Sequence, residues 1–532
     1  MPRTTAILGI AILLTGCGGG GGETTPAPAP AAPQQNAAQP AAPAANAAAP
    51  VDTADATPAS ALDTELRALI ADENLTIDPT MGRDLPQITD PMANLGMALF
   101  YSTNLGGQQD AACVSCHHPV LGGSDALSLP VGVDAVDVFN VPDQALLGPG
   151  RHAAIAGAFP LVPRNAPTTF NIGLWDNGLF WDSRIRSLSP QPGQNGSAGN
   201  ITTPDSGSGA DTTLPAGTTL AAAQARFPVT SEAEMRGGFA AGEDNASLRS
   251  SLATRFTDSA WADMFVLAFG DDEISFDRIA EAIGEYERSQ VFVDSPWHAY
   301  LAGNNEAISE DAKEGAVLFF TGVNDGGAGC SRCHNGDLFS DERHHIVAFP
   351  QVGDDAGRED ISGDAGDRYH FRTPSLLNIA VTAPYGHAGL YQSLEESVRH
   401  YVNPRGAIDR LFGEQGGEVF VNANPPVCQL PQVSRMISAS GESCETLMAS
   451  AWENSQLVLD RLGNDANNND LGRRPNLSNG EVMQIVAFLE VLTDPCVEDR
   501  ECLDAWIIDA DDLGDYPDGR ALVGRDEEKR DY

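Results

Sequence analysis

Two short stretches carry the same arrangement of reactive side chains. In QQDAACVSCHHPV, Cys113 and Cys116 are followed directly by His117; in GAGCSRCHNGD, Cys330 and Cys333 are followed by His334. Two thiols near one face of a turn can add to the two vinyl groups of a porphyrin, and the adjoining imidazole then reaches the iron from the same side. Cys-x-x-Cys-His is therefore the attachment pattern of a covalently held c-type haem. A zinc ribbon would need its two Cys-x-x-Cys pairs close together, whereas these lie roughly two hundred residues apart, and a dithiol redox motif has no use for the histidine each time. Two covalently bound haems are expected, with His117 and His334 as iron ligands.

The elements that must position these motifs repeat as well. GMALFYSTNLGGQQDAACVSCH, from Gly96, matches GAVLFFTGVNDGGAGCSRCH, from Gly315. In each, an apolar helix (Leu99 and Phe100; Leu318 and Phe319) leads through a Gly-rich loop into the motif, which indicates two related domains with one haem apiece. Further on, LSNGEVMQIVAFLEVLTD predicts a helix capped by Ser478, with Glu481 closing a capping box. Val482, Ile485, Val486, Leu489 and Leu492 form its core-facing stripe. The fold class that follows is mainly α: two cytochrome c-like haem domains, at residues 65–300 and 301–510, behind a disordered N-terminal tether.

That tether covers residues 17–64, where Gly, Ala, Pro and Gln dominate and no core can form. Before it, residues 1–16 combine Arg3, an apolar run from Ala6 to Leu14 and small residues leading into Cys17. This has the form of a lipoprotein signal with Cys17 as the lipidated residue. The run is too short to span a bilayer, so contact with the membrane is expected only through a lipid anchor, and the site of work is the cell envelope, on the periplasmic or outer-membrane surface.

With 74 acidic against 31 basic residues the formal net charge is -43. That excludes nucleic acid and anionic membrane surfaces as partners, and leaves a basic protein partner or simple solubility as its purpose. The acidic tail, residues 511–532, reads as a docking strip or a solvated end. Four cysteines remain: Cys428, Cys444, Cys496 and Cys502. Outside the cytoplasm they suggest two disulfides, and short separations favour Cys428 with Cys444 and Cys496 with Cys502, although three connectivities are possible.

Taken together the chain resembles the bacterial di-haem cytochrome c peroxidases and their relative MauG. The resemblance spans Pro86 to Asp494. It rests on LGMALFYS, both haem motifs, RNAPTTFNIG, FWDSRIRSL, FPVTSEAEMRGG, FRTPSLLNIAVTAPYGHAGLYQSLEESVRHY and the last helix. It implies that the haem at His117 meets peroxide and that the haem at His334 transfers electrons. It also implies that Glu234 is the acid-base group on the open side of the first haem, with Pro228 beside it. The glutamine that accompanies them falls on Gln191 by its spacing from the tryptophan or on Gln224 by its spacing to the proline, with Gln224 preferred. Trp181 matches the tryptophan between the haems. Asn165, Thr382 and Pro384 match the oxygen donors of a calcium ion lying between the domains, through one side chain and two backbone carbonyls.

Two departures bear on function. The position on the far side of the second haem, a methionine in the peroxidases, falls on Tyr401, as in MauG, with His400, Met436 and Met448 as the other possible ligands. Val133 stands roughly where many resting peroxidases have a histidine that blocks the first haem, and neither His118 nor His152 fits that spacing. The first expectation is therefore a peroxidase that reduces hydrogen peroxide with electrons from a redox protein. The second is a MauG-type enzyme that uses peroxide to oxidise residues of a partner protein. The third is a passive electron-transfer lipoprotein.

Overall fold

The computed structural model describes residues 59–71, 73–136, 144–153, 162–415, 418–421, 424–464 and 473–532. The signal segment, Cys17 and nearly all of the tether lie outside the described residues.

In chain order the helices are α1 (Ala61–Ile70), α2 (Pro91–Tyr101), α3 (Leu220–Gln224), α4 (Asn245–Ala253), α5 (Ser259–Phe269) and α6 (Phe276–Ser289). Then follow α7 (Pro296–Leu301), α8 (Glu310–Phe320), α9 (Glu359–Ser362), α10 (Leu394–Val402), α11 (Pro404–Phe412), α12 (Pro426–Gln429), α13 (Pro431–Ser440), α14 (Cys444–Asn464), α15 (Asn479–Glu490) and α16 (Arg500–Leu503). Short strands β1 (Gln144–Leu146) to β7 (Val523–Arg525) complete the fold. Among the described residues no helix is long and apolar enough to cross a membrane.

The helix before each haem motif crosses a partner at a glycine. On α2, a Cβ at Gly96 would lie 1.9 Å from the Ala282 carbonyl oxygen of α6; on α8, a Cβ at Gly315 would lie 1.9 Å from the Gln484 carbonyl oxygen of α15. Only a residue without a side chain lets these backbones meet. Helix α15 follows its sequence: Ser478 Oγ accepts from Glu481 N, Glu481 reaches back to Ser478 N, and Val482, Ile485, Val486, Leu489 and Leu492 are buried.

Two hydrophobic cores form around these crossings, and the ends of the chain trade places between them. Helix α1 packs on the second core through Leu66 and Ile70, with Asp63 in a buried ion pair 2.8 Å from Lys313 of α8. The C-terminal segment returns to the first core. Trp506 O accepts from the Tyr101 and Tyr286 hydroxyls, Tyr516 Oη donates to Ala98 O, and β7 runs parallel to β1 with Gln144 opposite Val523. The domain limits 65–300 and 301–510 therefore need amending at both ends. The acidic tail is also corrected in part: Tyr516, Ala521, Leu522 and Val523 are buried, so the tail is anchored on the first core there, while residues 527–531 are exposed. The tether ends earlier than expected as well. Ser60 and Asp63 make a reciprocal capping box that starts α1 at Ala61, a local hydrogen-bond signal that the Ala- and Pro-rich composition conceals. Both short-range disulfides form, Cys428–Cys444 and Cys496–Cys502.

Strands β2 (Gly178–Leu179), β3 (Ile185–Ser187) and β4 (Ile201–Thr202) make an antiparallel sheet, and the β2–β3 turn carries Trp181 and Asp182. Phe180 and Ser183, on either side of that pair, hold left-handed φ values of 68° and 50°. Such conformations persist only where surrounding bonds enforce them. The pairing of β5 (His344–His345) with β6 (Phe371–Arg372) lies beside this turn, since Arg372 N donates to Trp181 O at 2.7 Å.

Candidate functional site

A single cavity of about 1040 Å³ is lined by Cys113, Cys116 and His117 and also by Cys330, Cys333 and His334. None of these four cysteines takes part in a disulfide. His117 Nδ1 lies 3.1 Å from Gly123 O and His334 Nδ1 lies 2.9 Å from Phe339 O. With Nδ1–H donating to a carbonyl, the Nε2 lone pair of each ring is left for a metal. Burial lowers both imidazole pKa values, which favours the neutral, ligating form.

The walls fit two porphyrins. Phe100, Met235 and Ile283 line the cavity, as do Leu376, Val398 and Leu489, while the basic groups are few. Among these, Arg372 is buried, lies over the Trp175 ring at 3.8 Å and keeps Nη1 without a hydrogen-bond partner. A buried guanidinium with a spare donor on the wall of a largely apolar cavity suits a carboxylate of a bound haem.

Glu234, Pro228 and Gln224 line the same cavity, and Gln191 is exposed outside it. Gln224 ends α3, which packs tightly on α6: a Cβ at Gly284 would lie 2.6 Å from Ala222 N. Glu234 sits in a π-helical turn, Glu232–Arg236, capped by Ser231, whose Oγ accepts from Glu234 N. Burial raises the Glu234 pKa, with the Arg184 charge acting against it, and the carboxylate lies close enough to Cys116 to influence that thiol. Val133 is buried off the cavity, its N–H 3.5 Å from Ala233 O, directly behind the Glu234 turn. His118 accepts from Val120 N and packs on Tyr532, and His152 Nδ1 faces Gly150 O at 2.9 Å; neither lines the cavity.

Trp181 also lines the cavity, and its indole N–H donates to Asn165 O at 2.9 Å. Asn165 Nδ2 donates to Leu127 O at 2.7 Å, which leaves Oδ1 to face another group; Thr382 and Pro384 share the cavity wall with it. At the other end Tyr401, on α10, lines the cavity with its ring 5.6 Å from Phe349, and burial near Cys330 and Cys333 pushes its phenol well up. His400 has both ring nitrogens engaged, by the Tyr391 hydroxyl and by Val347 O at 2.8 Å each, while Met436 and Met448 are core residues off the cavity.

Two features of the site escape the motif reading. Glu287 of α6 lines the cavity, is 3% exposed and leaves Oε2 without a hydrogen-bond partner. Its only sequence signal is its place one helical turn beyond Ile283 on the inward face. Arg164 and Asp182, inside two motifs used for other residues, form an ion pair beside Asn165 and Trp181.

Comparison with known proteins bears on this geometry. Residues 90–306 match the family described as di-haem cytochrome c peroxidase. The chain is 28% identical over 318 residues to the methylamine utilization protein MauG of Methylorubrum extorquens, covering 59% of this chain and 69% of that one. It is 27% identical over 311 residues to the cytochrome c551 peroxidase of Nitrosomonas europaea, covering 58% and 71%. Among solved structures, a MauG-like protein associated with microbial copper homeostasis aligns over 78% of this chain and 93% of its own at 21% identity, with a TM-score of 0.47.

Proposed function

This chain belongs to the di-haem cytochrome c peroxidase family, and from that premise we propose that it reduces hydrogen peroxide at the Glu234 end of the cavity, drawing electrons through the His334 end. The observation that carries the reading is one cavity lined by both attachment motifs, by the buried Glu234 carboxyl group and by Trp181. A haem bound at His117 would supply the redox iron at which the peroxide bond breaks, and one at His334 a second one-electron centre. The remaining work falls to side chains. Peroxide takes up two electrons and two protons and leaves as two waters. Glu234 takes the proton from the near oxygen and returns it to the departing one; burial raises its carboxyl pKa, which favours holding the proton between the two steps. The Gln224 amide orients the peroxide, and Pro228, having no N–H, offers no competing donor on the same wall.

The finer features are proposed alongside. Calcium suits Asn165 Oδ1 with the carbonyl oxygens of Thr382 and Pro384, all hard donors. A basic redox protein suits a chain of net charge -43. A lipid anchor at Cys17 would hold the protein at the cell envelope. Tyr401 favours the second, MauG-type reading, because a phenolate ligand stabilises oxidised iron and makes the second centre a reluctant electron acceptor.

Electron paramagnetic resonance of the oxidised holoprotein tests both readings. One high-spin and one low-spin ferric signal are expected, both lost on one equivalent of peroxide without prior reduction, and Tyr401→Phe should alter only the low-spin signal. Two low-spin signals indifferent to peroxide would overturn the open-site reading. Turnover with a reduced cytochrome favours the peroxidase, and its absence favours oxidation of a protein substrate.

A further inference from the structure

We infer that Arg164 is the positioning residue for Trp181, fixing the bridging ring between the two haem sites by tying its turn to the second half of the chain. The inference rests on the proposed role of Trp181 as the bridge.

The bonds converge on one guanidinium. Trp181 is held by its indole N–H on Asn165 O, the residue after Arg164, and by its own carbonyl oxygen, which accepts from Arg372 N. The next residue, Asp182, is 2% exposed, and its Oδ2 accepts from Arg164 Nη1 at 2.5 Å. The other edge of the guanidinium, Nε and Nη2, donates to Asp355 Oδ2 and Oδ1 at 2.7 Å each. Asp355 lies in the second half of the chain, nearly two hundred residues from Arg164. From the same segment Arg358 Nη1 donates to the carbonyl oxygens of Asp182 and Ser183. Three of the five Arg164 donors are thus committed to two carboxylates, a buried one adjoining Trp181 and one from the far half. The Arg164 side chain is itself 12% exposed.

This arrangement needs the planar fork of arginine. A lysine could neutralise one carboxylate but could not hold Asp355 through two parallel bonds while reaching Asp182. The left-handed residues Phe180 and Ser183 bracket Trp181 and Asp182, and such a turn keeps its shape only while external bonds hold it. Releasing Arg164 lets the ring shift in the gap, and electron transfer falls steeply as a gap opens.

The test is the rate of electron transfer between the two haems of the half-reduced holoenzyme, followed after flash reduction, with haem content and unfolding midpoint measured in parallel. Arg164→Met is expected to slow the rate roughly tenfold while leaving each haem's own ferric spectrum unchanged. Asp355→Asn, which keeps the cation and its Asp182 contact, should slow it less, and Arg164→Lys should recover part of the loss. If Arg164→Met fails to fold, Asp355→Asn carries the test. Unchanged rates in both variants, with slowing in Trp181→Phe, would overturn the role of Arg164 and leave the bridge standing. An unchanged rate in Trp181→Phe would overturn the bridge itself, and this inference with it. Slowing accompanied by lost haem or altered spin states, with no recovery in Arg164→Lys, would mark Arg164 as a general structural residue and also overturn the proposal.

Discussion

The two halves attach their haems by the same device and surround them differently. In each, a glycine brings two helices together, a Gly-rich loop leads into Cys-x-x-Cys-His, and the histidine Nδ1 faces a backbone carbonyl. The far sides diverge. Near Cys116 the cavity receives a carboxyl group on a π-helical turn; near Cys330 and Cys333 it receives a phenol from a regular helix. Carboxyl groups beside the thiols diverge too. Asp341, close to Cys333, accepts from His345, Thr373 and the Arg343 N–H, whereas Glu287 Oε2 and Asp125 Oδ2, close to Cys113 and Cys116, have no partner. Attachment belongs to the repeat, and chemistry belongs to residues the repeat does not contain.

The largest effect that sharpens this contrast is expected at Glu234. Glu234→Gln keeps the size and removes the proton-transfer group, so peroxide consumption should fall on the order of 10²–10⁴-fold, with haem content and resting spin states unchanged. Tyr401→Phe should leave the first reaction with peroxide intact. Equal losses in the two variants would erase the division of labour between the ends.

The glycines test the shared part. At Gly96 and Gly315 an added Cβ would meet a backbone oxygen at 1.9 Å, so the helices must separate. Overpacking of this kind costs about 1–3 kcal/mol. Gly96→Ala should disturb the spectrum of the first haem and Gly315→Ala that of the second, as read by resonance spectra and thermal unfolding. If either substitution disturbs both haems alike, the two crossings are not independent.

How much of this was legible in the sequence follows the range of the forces involved. The haem motifs, the capping box of α15 and both disulfides are local, and spacing reports them. Exchange of the chain ends was not legible, because an amphipathic stripe such as Leu66 and Ile70 announces a buried face without naming its partner. The packing of the tail was hidden for a related reason: its acidic composition concealed Tyr516 and the consecutive Ala521, Leu522 and Val523, all buried. Arg164 was invisible as an anchor because Asp355 is distant in sequence and only the folded chain brings them together.

A contrast in stability alone concerns Glu287, and its dependence on pH separates the two halves further. Burial alone raises its pKa from 4.5 to about 8. A bound haem fills the adjoining cavity and removes still more water, which keeps the shift upward. Between these values the folded chain holds a proton that the unfolded chain has released, so stability falls as pH rises from about 4.5 and levels off above about 8. Glu287→Gln, isosteric with the protonated acid, removes this loss. The variant should match the parent near pH 4.5 and become more stable by a few kcal/mol by about pH 8–9. Thermal unfolding of both holoproteins across that range provides the measurement, and Asp125, present in each, cancels from the difference. A difference that does not vary with pH would mean that Glu287 titrates alike in the folded and unfolded chain once haem is bound, its burial being offset there.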